Sequence, residues 1–360
     1  MPIPIANETF DLAVVTTAFS PVILSIISCI TMYLSEINVK KIVVFRALQL
    51  GDLLCTIPAI RALHNTYASA EITLVGLPWA KVLTQRFSKY FRSFISFPGY
   101  PGLPEQQVDY LKYPDFLKNV QQQNFDLALQ VQGNGTIANP LVQLFAAKKT
   151  SGFYKTSNYC PDKELFIPYP EHLHEIERHL RLMQHLGIES ISTDLEFPIT
   201  AADEADFNNA ALPVHPGEYI VIHPGARSET RQWPPEKFGA VADYCIEKGF
   251  PVVVTGTKDE GEIVQNVLRS MRHEAIDATG KTTLGAVAVL IKNARGLISN
   301  CTGVAHIAAA CKTKSIVLSL HEEHGRWEPL NKTLHRSIDW TSNPNFHTVI
   351  SEIDHIFFEN

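Results

Sequence analysis

The chain is poor in the patterns that anchor metals, disulfides and dinucleotides. Six cysteines (Cys29, Cys55, Cys160, Cys245, Cys301 and Cys311) are scattered over 360 residues with no C-x-x-C pair. That pattern offers no zinc or disulfide framework and suits a reducing compartment. No G-x-G-x-x-G follows the strand that opens either half, which argues against a nicotinamide cofactor. His321-Glu-Glu-His324 is not a zinc-protease helix, because its histidines lie three apart and not four. Basic residues are not in excess: 31 Lys and Arg face 37 Asp and Glu, and the net charge of −6 argues against general nucleic-acid binding. No short-period repeat and no low-complexity tract interrupts the chain.

Charge is missing altogether from Leu12 to Leu34. This stretch is long enough to span a bilayer. It is too long for a typical signal core, and the residues ahead of it, Glu8 and Asp11, are acidic. Three readings stay open: a single membrane anchor, a cleaved signal, or a non-functional leader with synthesis starting at Met32. With an anchor, Lys40 and Lys41 would put the following domain on the cytoplasmic side.

What is present is an ordinary soluble composition, 45% apolar and 19% charged, at a length that favours two domains. Apolar strands alternate with amphipathic helices, the pattern of parallel sheets. The pattern predicts strands at 42–45, 72–75, 125–130 and 150–153. Helices are expected at 52–64, 79–94, 138–147 and 172–186, the last closed by Gly187. Residues 188–217 carry Pro198, Pro213 and Pro216 and read as a linker. A second series then begins, with strands at 219–223, 251–255, 276–279, 297–299 and 315–320. Its helices are expected at 235–248, 259–272, 283–293, 304–311 and 349–358. Two successive doubly wound units imply two facing Rossmann-like domains, an α/β architecture with its site in the cleft between them.

Three strand ends carry candidate chemistry. The first is Gly51-Asp52, after the strand 42–45. Asp52 reads either as the N-cap of a helix beginning at Leu53 or as a general base at that helix start. Both roles fit together only if one carboxylate oxygen stays free. The second is His223-Pro-Gly-Ala-Arg227-Ser-Glu-Thr-Arg231-Gln-Trp233-Pro-Pro235. Its arginines suit a diphosphate, and its His-Pro-Gly suits a backbone that must approach something closely; the alternative is a solvated loop over a packed Trp233. The third is Asn300-Cys-Thr302-Gly303-Val-Ala-His306, a strand end running into a helix of small residues. Its free N–H groups make an anion site, or the helix is simply a tightly packed core element with a satisfied histidine.

Leu83, Phe87, Phe91 and Phe94 would share one face of the helix 79–94, either as core or as an interfacial patch near a lipid-linked acceptor. His172, His174 and His179 sit among polar residues and read as surface histidines.

Together, in this order, the motifs resemble glycosyltransferase family 9, the ADP-heptose:lipopolysaccharide heptosyltransferases of the GT-B fold. The resemblance runs from about Lys40 to Leu330. It takes in Gly51-Asp52, Pro58-Ala-Ile-Arg61-Ala-Leu, Phe125-Asp126-Leu, the two later strand ends and Gly325-Arg-Trp-Glu-Pro329. With the residue pattern it divides the chain into an acceptor-side domain (36–200), a nucleotide-sugar-binding domain (201–345) and a terminal helix (346–360), preceded by the apolar leader (1–35), an anchor or a non-functional extension. It implies an inverting transfer of heptose or a related sugar, from an ADP-linked or similar donor to a lipopolysaccharide-type or other surface glycan. Asp52 falls on the family's proposed catalytic base. Arg231 falls on its basic residue at the donor diphosphate, with Ala226 and Arg227 at the preceding phosphate contacts. Thr302, Gly303 and His306 match its donor-binding turn, and Asp259 or Glu260 would reach the ribose or base. No cofactor and no metal is implied. The expected partners are the donor and a glycan or lipid-linked acceptor, with peripheral membrane contact at the cytoplasmic face of the inner membrane. The family's usual Asn-Asp before Thr-Gly is Asn300-Cys301 here, a thiol that cannot hold a hard cation as a carboxylate does. The Gln132–Thr136 loop lacks the basic residue often found there. Alternatives of the same shape are a sugar-nucleotide epimerase or hydrolase, and a non-catalytic or altered-donor sugar-nucleotide-binding protein.

Overall fold

Short apolar strands buried on both faces, each leading into a helix, can only stack side by side in parallel sheets covered by those helices. A computed structural model of the chain describes residues 38–320 and 324–359 and contains two such sheets. The apolar stretch 12–34, with its three readings, lies outside the described residues.

The first sheet contains β1 (Lys41–Phe45), β2 (Glu71–Gly76), β3 (Phe91–Ser96), β4 (Leu127–Gln130), β5 (Lys149–Tyr154) and β6 (Phe166–Pro168) in the order β3-β2-β1-β4-β5-β6. The second contains β7 (Ile220–His223), β8 (Val252–Val254), β9 (Ile276–Asp277), β10 (Gly296–Asn300), β11 (Ser315–Ser319) and β12 (His335–Asp339) in the order β12-β11-β10-β7-β8-β9. All pairs are parallel. Numbered from its own first strand, each sheet has the order 3-2-1-4-5-6. Each therefore reverses direction once, between β1 and β4 and between β7 and β10, and such switch points are where open α/β sheets bind ligands.

The helices of the first series are α1 (Leu50–Thr66), α2 (Lys81–Arg86), α3 (Tyr113–Gln122), α4 (Ala138–Gln143), α5 (Glu175–His185) and α6 (Ala201–Asn209). The second series has α7 (Pro235–Glu247), α8 (Gly261–Ser270), α9 (Leu284–Lys292), α10 (Gly303–Cys311), α11 (His324–Trp327) and α12 (Phe346–Ile353). Among the described residues no helix is long and apolar enough to cross a membrane.

Several expectations are corrected. The stretch 79–94 is not one helix: α2 ends at Arg86 and the edge strand β3 begins at Phe91. The aromatic spacing there reflects two elements meeting one core, since Leu83, Phe87 and Phe91 are buried against the first sheet. The stripe is packing and not an interfacial patch. The linker 188–217 contains α6, whose N-cap Thr200 and Asp203 form a reciprocal capping pair. Asp203 also takes both Arg86 guanidinium nitrogens, at 2.5 and 2.8 Å. His172 is exposed, but His174 and His179 are buried at the start of α5.

The two lobes meet through α1 and α10. Gly51 of α1 lies so close to α10 that a Cβ there would stand 2.7 Å from His306 Cδ2, and a Cβ on Gly303 would stand 2.9 Å from Leu50 Cδ2. Glycine is what lets the helix starts touch. His306 is buried with no room to yield, so Gly51→Val should cost about 1–3 kcal/mol of stability by overpacking. Urea unfolding of the variant beside wild type measures this.

Candidate active site

A cleft of about 980 Å³ lies where the switch points of the two sheets face each other. Residues after β1 line one side, and residues after β7, β8 and β10 line the other. Asp52, Ala226, Arg227, Arg231, Glu260, Cys301, Thr302, Gly303 and His306 all reach it; Asp259 is not among its lining residues.

Asp52 is not the N-cap of α1. The cap is Gln49, in extended conformation, and Asp52 stands three positions into the helix entry. From there its Oδ2 accepts the Gln49 N–H at 3.2 Å. Its Oδ1 lies 3.6 Å from Arg46 Nη2. Arg46 is itself buried and donates to the Val131 carbonyl and to Glu175 Oε1, the latter at 2.7 Å. The Asp52 carboxyl is raised above the ordinary value of 3.8. Burial is the main cause, opposed by Arg46 and reinforced by the nearby Glu175. A partly exposed carboxylate with a raised pKa, open to a cleft, has the properties of a general base.

The opposite wall is cationic. Arg227 and Arg231 are exposed on the loop after β7 and make no ion pair with any described residue. That loop is pinned by Asn300, the last residue of β10. Its side chain accepts the Trp233 N–H at 2.9 Å and donates to the Pro224 carbonyl at 2.6 Å. Trp233 is fully buried among Phe238, Trp340 and Phe346, so the segment is anchored by a packed indole while its arginines stay free. Gly225 passes so close to Glu260 that a Cβ would overlap the carboxylate. The close approach expected of His-Pro-Gly is therefore to a protein side chain. Glu260 in turn accepts the Thr257 N–H at 2.7 Å.

Thr302 is the N-cap of α10, and its side chain makes no capping bond, so the helix start faces the cleft uncapped. Cys301 beside it is pushed up to about 12 by burial and is a neutral thiol. His306 is pushed down to about 4 by burial and is neutral, with Nδ1 3.6 Å from Cys55 Sγ. It shapes the floor of the cleft and supplies no positive charge.

Four features escaped the sequence reading. Asn300 stands in the third motif without a role that local pattern reveals, although a buried Asn ending a strand has to satisfy its amide somewhere. Thr283, the cleft-lining N-cap of α9, carries the usual Ser/Thr signal before an apolar run. Glu105 comes from an irregular loop, and nothing local marks it; its carboxyl is raised by burial and one oxygen is unpartnered. Glu175 belongs to a helix that read as surface.

The sequence profile described as Glycosyltransferase family 9 (heptosyltransferase) matches residues 115–352, about two thirds of the chain. The chain belongs to glycosyltransferase family 9. It is similar to lipopolysaccharide heptosyltransferase 3 of Escherichia coli K12, with 28% identity over 291 residues that cover 79% of this chain and 83% of that protein. It is also similar to lipooligosaccharide heptosyltransferase 2 of Haemophilus ducreyi, at 23% over 296 residues, 78% of this chain and 83% of that one. Among solved structures, a glycosyl transferase family 9 protein of Veillonella parvula superposes with a TM-score of 0.75 at 18% identity, covering 90% of this chain and 99% of its own. The E. coli ADP-heptose lps heptosyltransferase II gives 0.68 at 18% identity, covering 88% and 98%. These structures share the GT-B fold, and this chain is a glycosyltransferase of that fold.

In this glycosyltransferase the arginine loop depends on one amide. Asn300→Ala leaves the Trp233 N–H and the Pro224 carbonyl buried without partners, and should cost about 2–4 kcal/mol. Chemical denaturation reads the loss, and weaker binding of a nucleotide sugar should accompany it.

Proposed function

We propose that this enzyme moves a heptose or related sugar from an ADP-linked donor to a lipopolysaccharide-type acceptor, with inversion at the anomeric carbon. One observation carries the reading: a carboxylate with a raised pKa and two arginines free of ion pairs face one cleft from opposite lobes. The names of the sequence relatives support the donor and acceptor class. An acceptor of that class is lipid-linked, which supports a site of action at the cytoplasmic face of the inner membrane.

In the proposed reaction Asp52 takes the proton from an acceptor hydroxyl. The oxygen forms a bond to the anomeric carbon as the bond from that carbon to the diphosphate oxygen breaks. The electron pair leaves with the nucleoside diphosphate. Arg227, Arg231 and the N–H groups at Thr302, Gly303 and Val304 meet the charge that grows there. Ala226 leaves room beside the phosphates, and Glu260 borders the nucleoside end.

A second reading rests on Cys301. A neutral thiol where the family usually has a carboxylate cannot accept a hydroxyl hydrogen bond with comparable strength. The enzyme would then prefer a donor sugar other than the one its relatives take, or bind the donor with little turnover. Cys301→Asp, scored by release of ADP from a panel of ADP-sugars, separates these outcomes.

Asp52→Asn should lower transfer about 10²–10⁴-fold while leaving donor binding intact. Intact binding means that donor at 100 times its dissociation constant still stabilises the variant by about 2.7 kcal/mol in a thermal-shift assay. Turnover equal to wild type would remove Asp52 from the reaction. Because the base must be ionised and its carboxyl is raised, kcat/KM should fall as pH drops through a value above 3.8. Arg231→Ala should weaken donor binding about tenfold to a hundredfold, the loss of one charge-assisted contact.

A further inference from the structure

Beneath the cleft lies a group of charges that the proposed reaction does not use. Glu175, the first residue of α5, is 1% exposed. Its carboxylate takes Arg46 Nη2 at 2.7 Å, Arg326 Nε at 2.8 Å and the Arg178 guanidinium. Arg178 also holds the carbonyls of Pro170, Glu171 and Leu173, so it fixes the chain that enters α5. Tyr169 accepts from both Arg178 and Arg326, at 2.6 and 3.1 Å. The neighbouring His174 reaches the Glu328 carbonyl through Nε2 at 2.8 Å while its Nδ1 accepts the Ile176 N–H.

Three of these contacts cross between lobes: Arg326 to Glu175, Arg326 to Tyr169, and His174 to the Glu328 carbonyl. Arg326 and Glu328 belong to the segment around α11 in the second lobe, and Trp327 between them lines the cleft. His174 and Glu175 belong to the first lobe. The third arm of Glu175 is Arg46, whose Nη2 also lies 3.3 Å from the Asp52 carbonyl and 3.6 Å from Asp52 Oδ1.

Resting on the reading of Asp52 as the base, we propose that Glu175 is a positioning residue: it draws Arg46 away from a full ion pair with Asp52 and, through Arg326, registers the second lobe against that carboxylate. An arginine free to choose would close on Asp52 in a short bidentate pair. With Glu175 present, Arg46 is pinned at 2.7 Å to one carboxylate and stands off the other. The charges facing Asp52 are Arg46, Glu175 and Glu105 from its own lobe and Arg326 from the other. Cys55 behind it is neutral, its thiol pushed well up by burial, and His179 is neutral, pushed down to about 3. Arg46, Arg178 and Arg326 are matched by Glu175, Glu105 and Asp52, so the charges around the base balance.

That arithmetic gives variants with opposite signs. Glu175→Gln adds a net positive charge near Asp52 and releases Arg46 toward it. Arg326→Gln removes a positive charge and leaves the Arg46–Glu175 pair in place. The full chain is labelled with ¹³C at the Asp carboxyl carbons, and the Asp52 signal is assigned by its loss in Asp52→Asn. The expected result is that the Asp52 titration midpoint moves down by at least about half a pH unit in Glu175→Gln, a threefold change in proton affinity, and up in Arg326→Gln. The acid limb of nucleoside diphosphate release should move the same way in each variant. A purely structural role would lower thermal stability and leave both midpoints where they are. Unmoved midpoints, or shifts of the same sign, overturn the proposal. Should Glu175→Gln not fold, the Arg326→Gln titration decides, because Arg326 is partly exposed and its loss leaves no unpaired buried carboxylate. If the wild type releases no nucleoside diphosphate from any donor while the carboxyl shifts appear as described, the fault lies in the assigned reaction and not in the role of Glu175.

Discussion

A carboxylate removed from water persists only if cations and donors replace its hydration, and the Glu175 carboxylate shows how much of the molecule such a replacement can organise. Burial alone would protonate it; the arginines around it hold it far below the usual carboxylate range. Satisfying it takes Arg46 from the end of β1, Arg178 from α5 and Arg326 from α11. Three segments distant in sequence are thereby set at one point, just under the cleft. Each arginine replaces part of that lost hydration, and because one of the three comes from the second lobe, the cluster ties local order to the alignment of the lobes. Its net contribution to stability against an apolar replacement is small by the usual balance of desolvation and attraction. Its value lies in specifying one arrangement.

The cleft above shows a division of charge that follows from this. The first lobe's cations are consumed internally: Arg46 and Arg178 are bound to Glu175, and Lys148 to Asp126. What the first lobe presents to the cleft is acidic, in Asp52 and Glu105. The second lobe presents Arg227, Arg231 and a helix start, with its own Glu260 turned to capping Thr257. An anion entering the gap has one favourable wall. A neutral hydroxyl has a carboxylate to meet on the other. No large rearrangement is needed to produce this polarity, because it is fixed by which side chains already have partners.

Much of this was legible in the sequence, and the limits have identifiable causes. Asp52, the arginine loop and the Thr302 turn were readable because each sits at a strand end in a doubly wound pattern, where chain order alone forces them toward one cleft. The strands β1, β4, β7, β8, β10 and β11 announced themselves as apolar runs. Edge elements did not: β3 carries exposed Arg92 and Ser93 between its apolar residues, β6 has three residues, and β12 alternates with His and Arg. The stretch 79–94 was misread because Leu83, Phe87, Phe91 and Phe94 match helical spacing by coincidence, and the break at Ser88-Lys-Tyr has no glycine or proline to mark it. His174, Glu175, Arg178 and His179 failed for a deeper reason. Their side chains are polar, so local pattern assigns them to solvent. Glu175 and His174 are held by partners more than a hundred residues away, at Arg46, Arg326 and the Glu328 carbonyl, and no window on the sequence contains both ends.

The same long-range links bear on how catalysis would be organised. Inversion needs an acceptor oxygen, an anomeric carbon and a leaving oxygen in line, and small errors in that geometry are costly. In many two-lobed enzymes the line is assembled by closing on the substrate. Here the lobes already touch through Gly51 against His306, Leu50 against Gly303, His174 against the Glu328 carbonyl and the arginine cluster. The first two contacts are tight enough to exclude even a methyl group without movement. The last two join fully buried groups of the first lobe to one short helical turn of the second. A hinge at this seam would have to open several of them together, with charge exposed in the process. The proposed base therefore stands at a distance from the arginine wall that packing sets before any substrate arrives. A charged wall held in place by packing is the condition for electrostatic preorganisation.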